Sequence, residues 1–275
     1  MFCGLLRYNE KMKKQSAIIK AYWQRALTYR FEVMMYRVGE MGEMIALILM
    51  WTAIYGDQEL IRGFSLREMI TYILIGNLFN AMIRNFLTGI VSADIKEGRL
   101  SAFLLMPISY FQFVISREIG RISVATFMSV ISQSLIIMFF FGSFIINADG
   151  LYLLLILIMV ILAFFTELLL SYLIGLSAFW FDDVDGLHST VGRVQKFFSG
   201  GYFPLSLLPA GFVGVSYFLP FAYSFFVPAQ LYLKKIDLVA GAKGIGVQMI
   251  WILILYGISI FMWKRGLKRY EGVGI

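Results

Sequence analysis

The sequence is poor in the residues that build disulfides and metal sites: its 275 residues include one cysteine, Cys3, and one histidine, His188. A disulfide within the chain needs two cysteines, and the usual zinc sites need several cysteine or histidine ligands, so both are excluded. The phosphate-binding pattern G-x-x-x-x-G-K-[ST] and the nucleophile pattern G-x-S-x-G are also absent. We therefore expect no cofactor on this chain and no active site of a familiar enzyme.

Charged residues are scarce too, at 15% of the chain against 60% hydrophobic residues, and the mean hydropathy is +0.78. A helix needs about 20 apolar residues to cross the hydrocarbon core of a membrane. Uncharged runs close to this length or longer cover residues 122–148, 150–166, 197–233 and 244–263. Because the strands of a barrel would alternate apolar and polar residues, we expect helices to cross the membrane. The predicted fold class is an all-α polytopic membrane protein, with residues 1–275 forming one transmembrane domain.

The positive charges lie beside the predicted helix ends, and residues 1–37 alone hold eight of the 24 Lys and Arg residues. Basic residues accumulate on the cytoplasmic side of membrane proteins, so both termini are predicted to be cytoplasmic, in a bacterial cell membrane. This distribution accounts for the net charge of +7 without nucleic acid as a partner. Six spans are compatible with this charge distribution and with two cytoplasmic termini. They are predicted at about residues 33–55, 69–91, 111–144, 151–181, 187–206 and 244–263.

Two segments are predicted to be helical without crossing the membrane. Residues 16–32 place apolar side chains on one half of a helix, which is typical of a helix lying in lipid at the inner surface; packing on a soluble partner is the alternative. Residues 197–233 would measure about 55 Å as one helix, too long for a hydrocarbon core of about 30 Å. Residues 209–233 are therefore predicted to form a re-entrant pair in the outer leaflet, as part of an outer gate. The breaks and gate residues are expected at Gly200, Gly201, Pro204, Pro209 and Pro220.

Three charged residues in or beside the predicted spans are candidates for a transport pathway. Glu167 lies near the middle of the fourth span, where a charge is costly. It can act as a proton relay, as a contact for a cationic substrate or as a structural hydrogen-bonding group. Arg193 and Lys196 share one face of the fifth predicted helix, where they can attract an anionic group or pair with the acidic turn at residues 182–185.

The stretch DIKEGRLSAFLLMPIS is predicted to be cytoplasmic and to contain a short docking helix. Leu100, Phe103 and Leu104 repeat at i, i+3 and i+4, Gly98 precedes the helix and Pro107 ends it. A helix of under three turns is too short to be stable alone in water. We expect it to dock either on the inner membrane surface or in a groove on a cytoplasmic partner.

Three motifs, in this order, resemble the permease subunits of ABC type-2 exporters, in the branch with six spans and a separately encoded ATPase. The first is an acidic residue and a glycine ahead of a short helix closed by L-L-x-P, and the second is an F-W pair before an acidic turn. The third resembles F-x-x-G-x-x-x-P-L-x-x-L-P with a later L-P-F. The matching residues are Glu97, Gly98, Leu104, Leu105, Pro107, Phe179, Trp180, Asp182, Asp183, Phe197, Gly200 or Gly201, Pro204, Leu205, Leu208, Pro209, Leu219, Pro220 and Phe221.

This resemblance implies a dimer with a second permease, identical or different, above two copies of a cytoplasmic ATP-binding cassette ATPase that holds the ATP and Mg. Residues 94–107 would be the coupling helix and residues 16–32 the connecting helix. The coupling residues would be Glu97, Gly98, Leu100, Phe103, Leu104 and Pro107. The sequence departs from the family in the polar Arg193 and Lys196, and in an ending, residues 271–275, that keeps only a loose version of the glycine-containing family pattern.

The function implied by the resemblance is efflux of an amphiphilic substrate, such as a drug, a toxic peptide or a lipid-like molecule, driven by ATP. The alternative function is a proton-coupled secondary transporter that uses Glu167 as its relay. It predicts transport that survives removal of the ATPase and fails when Glu167 is replaced by glutamine. An intramembrane enzyme is disfavoured by the missing nucleophile and metal patterns.

Overall fold

The computed structural model describes residues 16–17, 19–25, 28, 30–106 and 109–270 of the chain. The predictions for Pro107 and for residues 271–275 lie outside these ranges. The described residues are mostly helical, which confirms the predicted all-α class. They include one two-stranded antiparallel hairpin, in which β1 (Leu60–Ile61) pairs with β2 (Phe64–Ser65).

The helices of the main body begin at residue 30. In chain order they are α1 Arg30–Tyr55, α2 Leu66–Ile83, α3 Leu87–Lys96, α4 Leu100–Leu104, α5 Tyr110–Phe139, α6 Gly150–Leu176, α7 Val184–Phe198, α8 Ala210–Phe218, α9 Phe226–Tyr232 and α10 Leu238–Arg269. Short 3-10 helices occupy Phe141–Ser143, Ser177–Phe179, Leu205–Leu207 and Pro220–Tyr223.

Side chains that accept hydrogen bonds fix where several helices begin. Ser65 and Glu68 form a reciprocal capping box at the start of α2, in which each side chain accepts from the other residue's backbone N–H. Single side-chain caps begin α5, α6, α7 and α10, and they are Ser109, Asp149, Asp183 and Asp237. These caps satisfy backbone N–H groups that the first helical turn leaves without partners.

Membrane-length helices confirm the prediction of a polytopic membrane protein. Among the residues that the structure describes, 5 helical segments are long and apolar enough to cross a membrane. The number rises to 6 if two helices joined at a sharp bend count as one span. The five are Arg37–Tyr55, Leu66–Lys96, Tyr110–Phe139, Gly150–Phe179 and Leu238–Arg269.

The fifth predicted span, at about residues 187–206, differs in the structure. Helix α7 has only 15 residues, about 22 Å of helix, and it is not among the membrane-length segments. Gly200 follows with φ +81°, which ends the helix. The sixth candidate span is instead the pair Ala210–Phe218 and Pro220–Tyr232, which is bent by 79° and is therefore either a broken span or a re-entrant loop.

Long-range contacts define two opposite ends of the bundle. At the hairpin end, Lys235 Nζ lies 2.8 Å from Glu68 Oε1 and Lys234 Nζ lies 3.0 Å from Asp149 Oδ2. At the α4 end, the hydroxyls of Ser101 and Tyr270 lie 3.1 Å apart. Each end has its own cluster of buried apolar side chains.

The described part of the N-terminal segment packs on α5. Trp23 Nε1 donates to Ser123 Oγ over 2.9 Å, and the Trp23 and Phe127 rings lie 5.8 Å apart. The guanidinium of Arg117 lies 5.9 Å from the centre of the Tyr22 ring. These contacts hold the segment against the first half of α5, and its placement at a membrane surface stays a prediction.

Candidate functional site

The short helix α4 has one face inside the bundle and one apolar edge outside it. Leu100 is 0% exposed, in the cluster at the α4 end. The Phe103 ring lies 4.7 Å from the Phe113 ring and 5.5 Å from the Tyr110 ring, between ring centres. Two members of the predicted docking stripe, Leu100 and Phe103, therefore pack on the chain's own α5 and its neighbours.

The exposed edge comprises Leu104, Leu105 and Met106, which are 48%, 88% and 46% exposed. Leu104 belongs to the predicted stripe, whereas Leu105 and Met106 follow it. Pro107 lies outside the described residues. We call these three side chains the apolar tip of α4.

A buried carboxylate fixes the approach to α4. Asp94, at the end of α3, is 4% exposed and accepts a hydrogen bond of 2.8 Å from the Tyr110 hydroxyl and one of 3.0 Å from Arg99 Nε. Arg99 also lies 2.6 Å from Glu97 Oε2. Between them Gly98 adopts φ +74°, a backbone conformation that other residues rarely adopt. The predicted residues Glu97 and Gly98 thus shape the turn into α4, and Asp94 ties that turn to α5.

The F-W pair and the acidic turn lie at the same end of the bundle. The Phe179 ring contacts the rings of Trp263 and Tyr270, at centre distances of 6.3 and 6.1 Å. The carbonyl of Asp182 accepts a hydrogen bond from Lys96, and Asp183 caps α7. These residues connect α3, α6, α7 and α10 around the base of α4.

A polar cavity of about 360 Å³ lies between α1, α2, α5, α6 and α7. Its lining includes the carboxylates of Glu40, Glu43 and Glu167 and the cations of Arg84 and Lys196. Asparagine, glutamine and serine side chains supply most of the remaining polar groups. A polar cavity among membrane-length helices provides a place where water and polar ligands replace lipid.

The structure brings two of the three predicted pathway residues to this cavity. Gln195 Nε2 donates to both carboxylate oxygens of Glu167, each over 2.9 Å. Lys196 Nζ lies 2.9 Å from Glu43 Oε1. Arg193 is exposed on α7 and does not line the cavity.

The predicted gate residues follow α7 in the chain, and among them Gly201 lines the cavity. The carbonyl of Gly200 accepts a hydrogen bond of 2.7 Å from the Tyr72 hydroxyl, and Phe226 N–H donates to the Ser199 carbonyl over 3.0 Å. Gly201 lines the cavity, and Pro204 lines a second pocket of about 10 Å³. Pro209 precedes α8, and Pro220 begins a 3-10 helix.

Four residues line both spaces and separate them: Leu47, Asn77, Gly201 and Phe225. Phe225 is 7% exposed and lies next to the Tyr72 ring, with 5.4 Å between ring centres. Phe225 was not predicted as a site residue, since one phenylalanine among 26 carries no distinguishing signal. Leu105 was not predicted to be part of an exposed surface, although it belongs to the L-L-x-P motif.

A bundle of membrane-length helices around a polar cavity defines a multi-pass membrane protein with a polar site inside the bundle. Residues 41–274 match the model of the family described as ABC-2 family transporter protein. The chain belongs to this family and is an ABC-type permease, and membership implies association with an ABC ATPase. A search of curated proteins found no match.

Proposed function

We propose that this permease exports an amphiphilic substrate from the cytoplasm, with energy from ATP hydrolysed on two copies of a separate ATPase. The observation that carries the proposal is the apolar tip of α4, where Leu105 is 88% exposed. Apolar side chains that project from a short helix suit a groove on a partner protein. ATP and Mg²⁺ then bind to the ATPase, and this chain catalyses no reaction.

The base of α4 supports force transmission from the ATPase to the bundle. Asp94 links the end of α3 to Tyr110 at the start of α5, and Ser101 in α4 contacts Tyr270 beyond α10. A push on the apolar tip therefore acts on three helices that extend toward the hairpin end. This geometry suits a switch between two access states of the cavity.

The proposed orientation places the α4 end and both termini in the cytoplasm and the hairpin end outside a bacterial cell membrane. The reason is the concentration of basic residues near residues 1–37 and at Lys264, Arg265, Lys268 and Arg269. In this orientation the cavity is loaded from the cytoplasm, and the wall that contains Phe225 closes it toward the outside.

We also propose a complex with a second permease, identical or different. Most of α7 is exposed in the single chain, including His188, Ser189, Thr190 and Arg193. Polar side chains are costly against lipid, so α7 suits a face turned toward a second permease across an aqueous pathway.

The experiment replaces Leu105 with aspartate in the complete complex. Docking would bury the aspartate charge in an apolar groove, away from water, which is unfavourable. We therefore expect the amount of co-purified ATPase and the rate of ATP-driven transport to fall by about tenfold. The matched control is Leu60→Asp, which changes an exposed leucine at the opposite, hairpin end. Undiminished ATPase recovery and transport in Leu105→Asp would contradict the proposal.

Glu167 supports a second candidate function, a proton-coupled transporter, because its carboxylate lines the cavity. The two functions differ in their energy source. Inactivating the phosphate loop of the ATPase stops transport if ATP drives it and leaves transport intact if a proton gradient drives it.

A further inference from the structure

The acidic side chains of the cavity differ in how their charge is balanced. Glu43 is paired with Lys196 at 2.9 Å, and Glu40 is paired with Arg37 and lies 4.0 Å from Arg84. Glu167 has a different environment, since both of its oxygens accept from the neutral amide of Gln195. Among the described residues, no lysine, arginine or histidine forms an ion pair with Glu167 within 4.0 Å.

The cavity that Glu167 lines also contains amide groups and apolar side chains, besides His188 and the paired charges of Glu40, Glu43, Arg84 and Lys196. Asn77 and Gln133 come from α2 and α5, and Leu47 and Phe225 come from α1 and the residue before α9. One carboxylate without an ion-pair partner, in a cavity that also has apolar side chains, suits a ligand with one cationic group and an apolar body. The volume of about 360 Å³ is within the range of pockets that hold drug-sized molecules.

We infer that the cavity binds organic cations, with the ammonium or other cationic group of the ligand at Glu167 and its apolar body toward Leu47 and Phe225. This inference rests on the proposed function and names its substrate class. The Glu167 carboxylate supplies the negative charge that pairs with the cationic group of the ligand, and the Gln195 amide holds the carboxylate in place. Lys196, on the same helix as Gln195, repels the same ligand unless Glu43 neutralises it.

The test measures binding of ethidium, an organic cation, and Nile red, a neutral dye, to the full chain co-purified with its ATPase in lipid nanodiscs. Glu167→Gln keeps the shape of the side chain and removes its charge. We expect ethidium to bind about tenfold more weakly to this variant, with Nile red unchanged. Glu59→Gln is the matched control, because Glu59 is exposed near the hairpin and does not line the cavity.

A second variant is expected to change affinity in the opposite direction. Lys196→Met removes a cation from the wall and leaves Glu43 without its partner, so ethidium should bind more tightly. Equal ethidium affinity in Glu167→Gln and the unmodified protein would overturn the inference. An equal loss for both dyes would overturn it too, because recognition would then not depend on charge.

Failure of this inference can be separated from failure of the proposed function. The dye measurements need no ATP hydrolysis, whereas the proposed function is tested by ATPase recovery with Leu105→Asp. Suppose that Glu167→Gln does not change ethidium binding but Leu105→Asp dissociates the ATPase. This result would overturn the cation site and would still support the ATP-driven permease.

Discussion

The ring of Phe225 lies directly against the backbone of Gly76 in α2. A Cβ added to Gly76 would come within 2.1 Å of Phe225 Cζ, so the contact is possible only because residue 76 has no side chain. Phe225 lines both the polar cavity and the small pocket beyond it. The ring therefore forms a wall between the two spaces, and the proposed orientation makes this wall the outer closure of the cavity.

Replacing Phe225 with alanine should open this wall, because the side chain that fills the space over Gly76 is lost. Cys3 is the only cysteine of the chain, so Cys3→Ser gives a cysteine-free background. Asn77→Cys then places a thiol at the boundary of the two spaces. A membrane-impermeant maleimide applied outside intact cells should label this thiol much faster in Phe225→Ala.

The control for the labelling experiment is Phe218→Ala. Phe218 lies in the neighbouring helix α8, is exposed and contacts the Trp251 ring rather than the cavity. Labelling of Asn77→Cys should not change in this variant. Equal labelling in Phe225→Ala and the unmodified background would show that Phe225 does not close the cavity.

The fold class was predictable from the sequence because long uncharged runs leave no alternative to membrane-spanning helices. The break between α2 and α3 was not, because distant residues hold it. Arg121 in α5 donates to the Arg84 carbonyl, and both guanidiniums lie over the Phe86 ring, at 5.0 and 5.6 Å. The sequence predicted one span over residues 69–91, because nothing in the local pattern indicates the contact between Arg84 and Arg121, which lie 37 residues apart.

The candidate site was predictable where the signal is local. Gly98 marked the turn into α4, and Glu167 stood out as a charge inside an apolar run. The packing of Leu100 depends on which side of a five-residue helix faces the bundle, and periodicity alone cannot decide between the bundle and a partner. Glu167 is bound by Gln195 and Glu43 by Lys196. Both partners lie in α7, which the sequence had predicted to be part of a longer span.

Close packing at the α4 end gives a stability prediction. A Cβ on Gly266 would come within 2.1 Å of the Phe179 ring, and that ring also contacts Trp180, Trp263 and Tyr270, so it has little room to move. Gly266→Ala should lower the free energy of unfolding by about 1–3 kcal/mol through overpacking. Thermal melting of the purified protein measures the change.

The matched control for Gly266→Ala lies on the same helix. Gly257 has nothing within 4 Å of an added Cβ. Gly257→Ala should leave the melting temperature unchanged or raise it slightly, because alanine favours helix more than glycine does. Equal changes in the melting temperature of both variants would show that crowding against the Phe179 ring does not destabilise Gly266→Ala.

The ion pair between Asp149 and Lys234 at the hairpin end gives a pH prediction. The hydrogen bond from the Lys234 ammonium, which lies 3.0 Å away, lowers the pKa of Asp149 below its ordinary value of 3.8. A lowered pKa stabilises the folded protein at pH values above the ordinary pKa. This stabilisation is lost as the pH falls through the pKa that the group has in the folded protein. Asp149→Asn should therefore melt at a lower temperature than the unmodified protein at neutral pH, and the difference should disappear in acid. A difference that is independent of pH would contradict this assignment.

The hydrogen bond from Tyr110 to Asp94 gives a prediction about coupling rather than stability alone. Tyr110→Phe removes only the hydroxyl and leaves the buried Asp94 carboxylate with Arg99, so we expect a loss of about 2 kcal/mol in the free energy of unfolding. Because this bond joins α3 to α5 across the base of α4, the variant should also transport less substrate per ATP hydrolysed.

The measurement that separates coupling from stability is the ratio of transport to ATP hydrolysis, taken well below the melting temperature of each variant. The matched control is Tyr152→Phe, since Tyr152 lies at the hairpin end and contacts Lys234 through its ring, which the substitution keeps. The ratio should fall in Tyr110→Phe and stay constant in the control. A bond that transmits force must affect the ratio of transport to ATP hydrolysis even when the protein remains folded. If Tyr110→Phe lowers only the melting temperature, the hydrogen bonds of Asp94 therefore hold α4 in place without transmitting force.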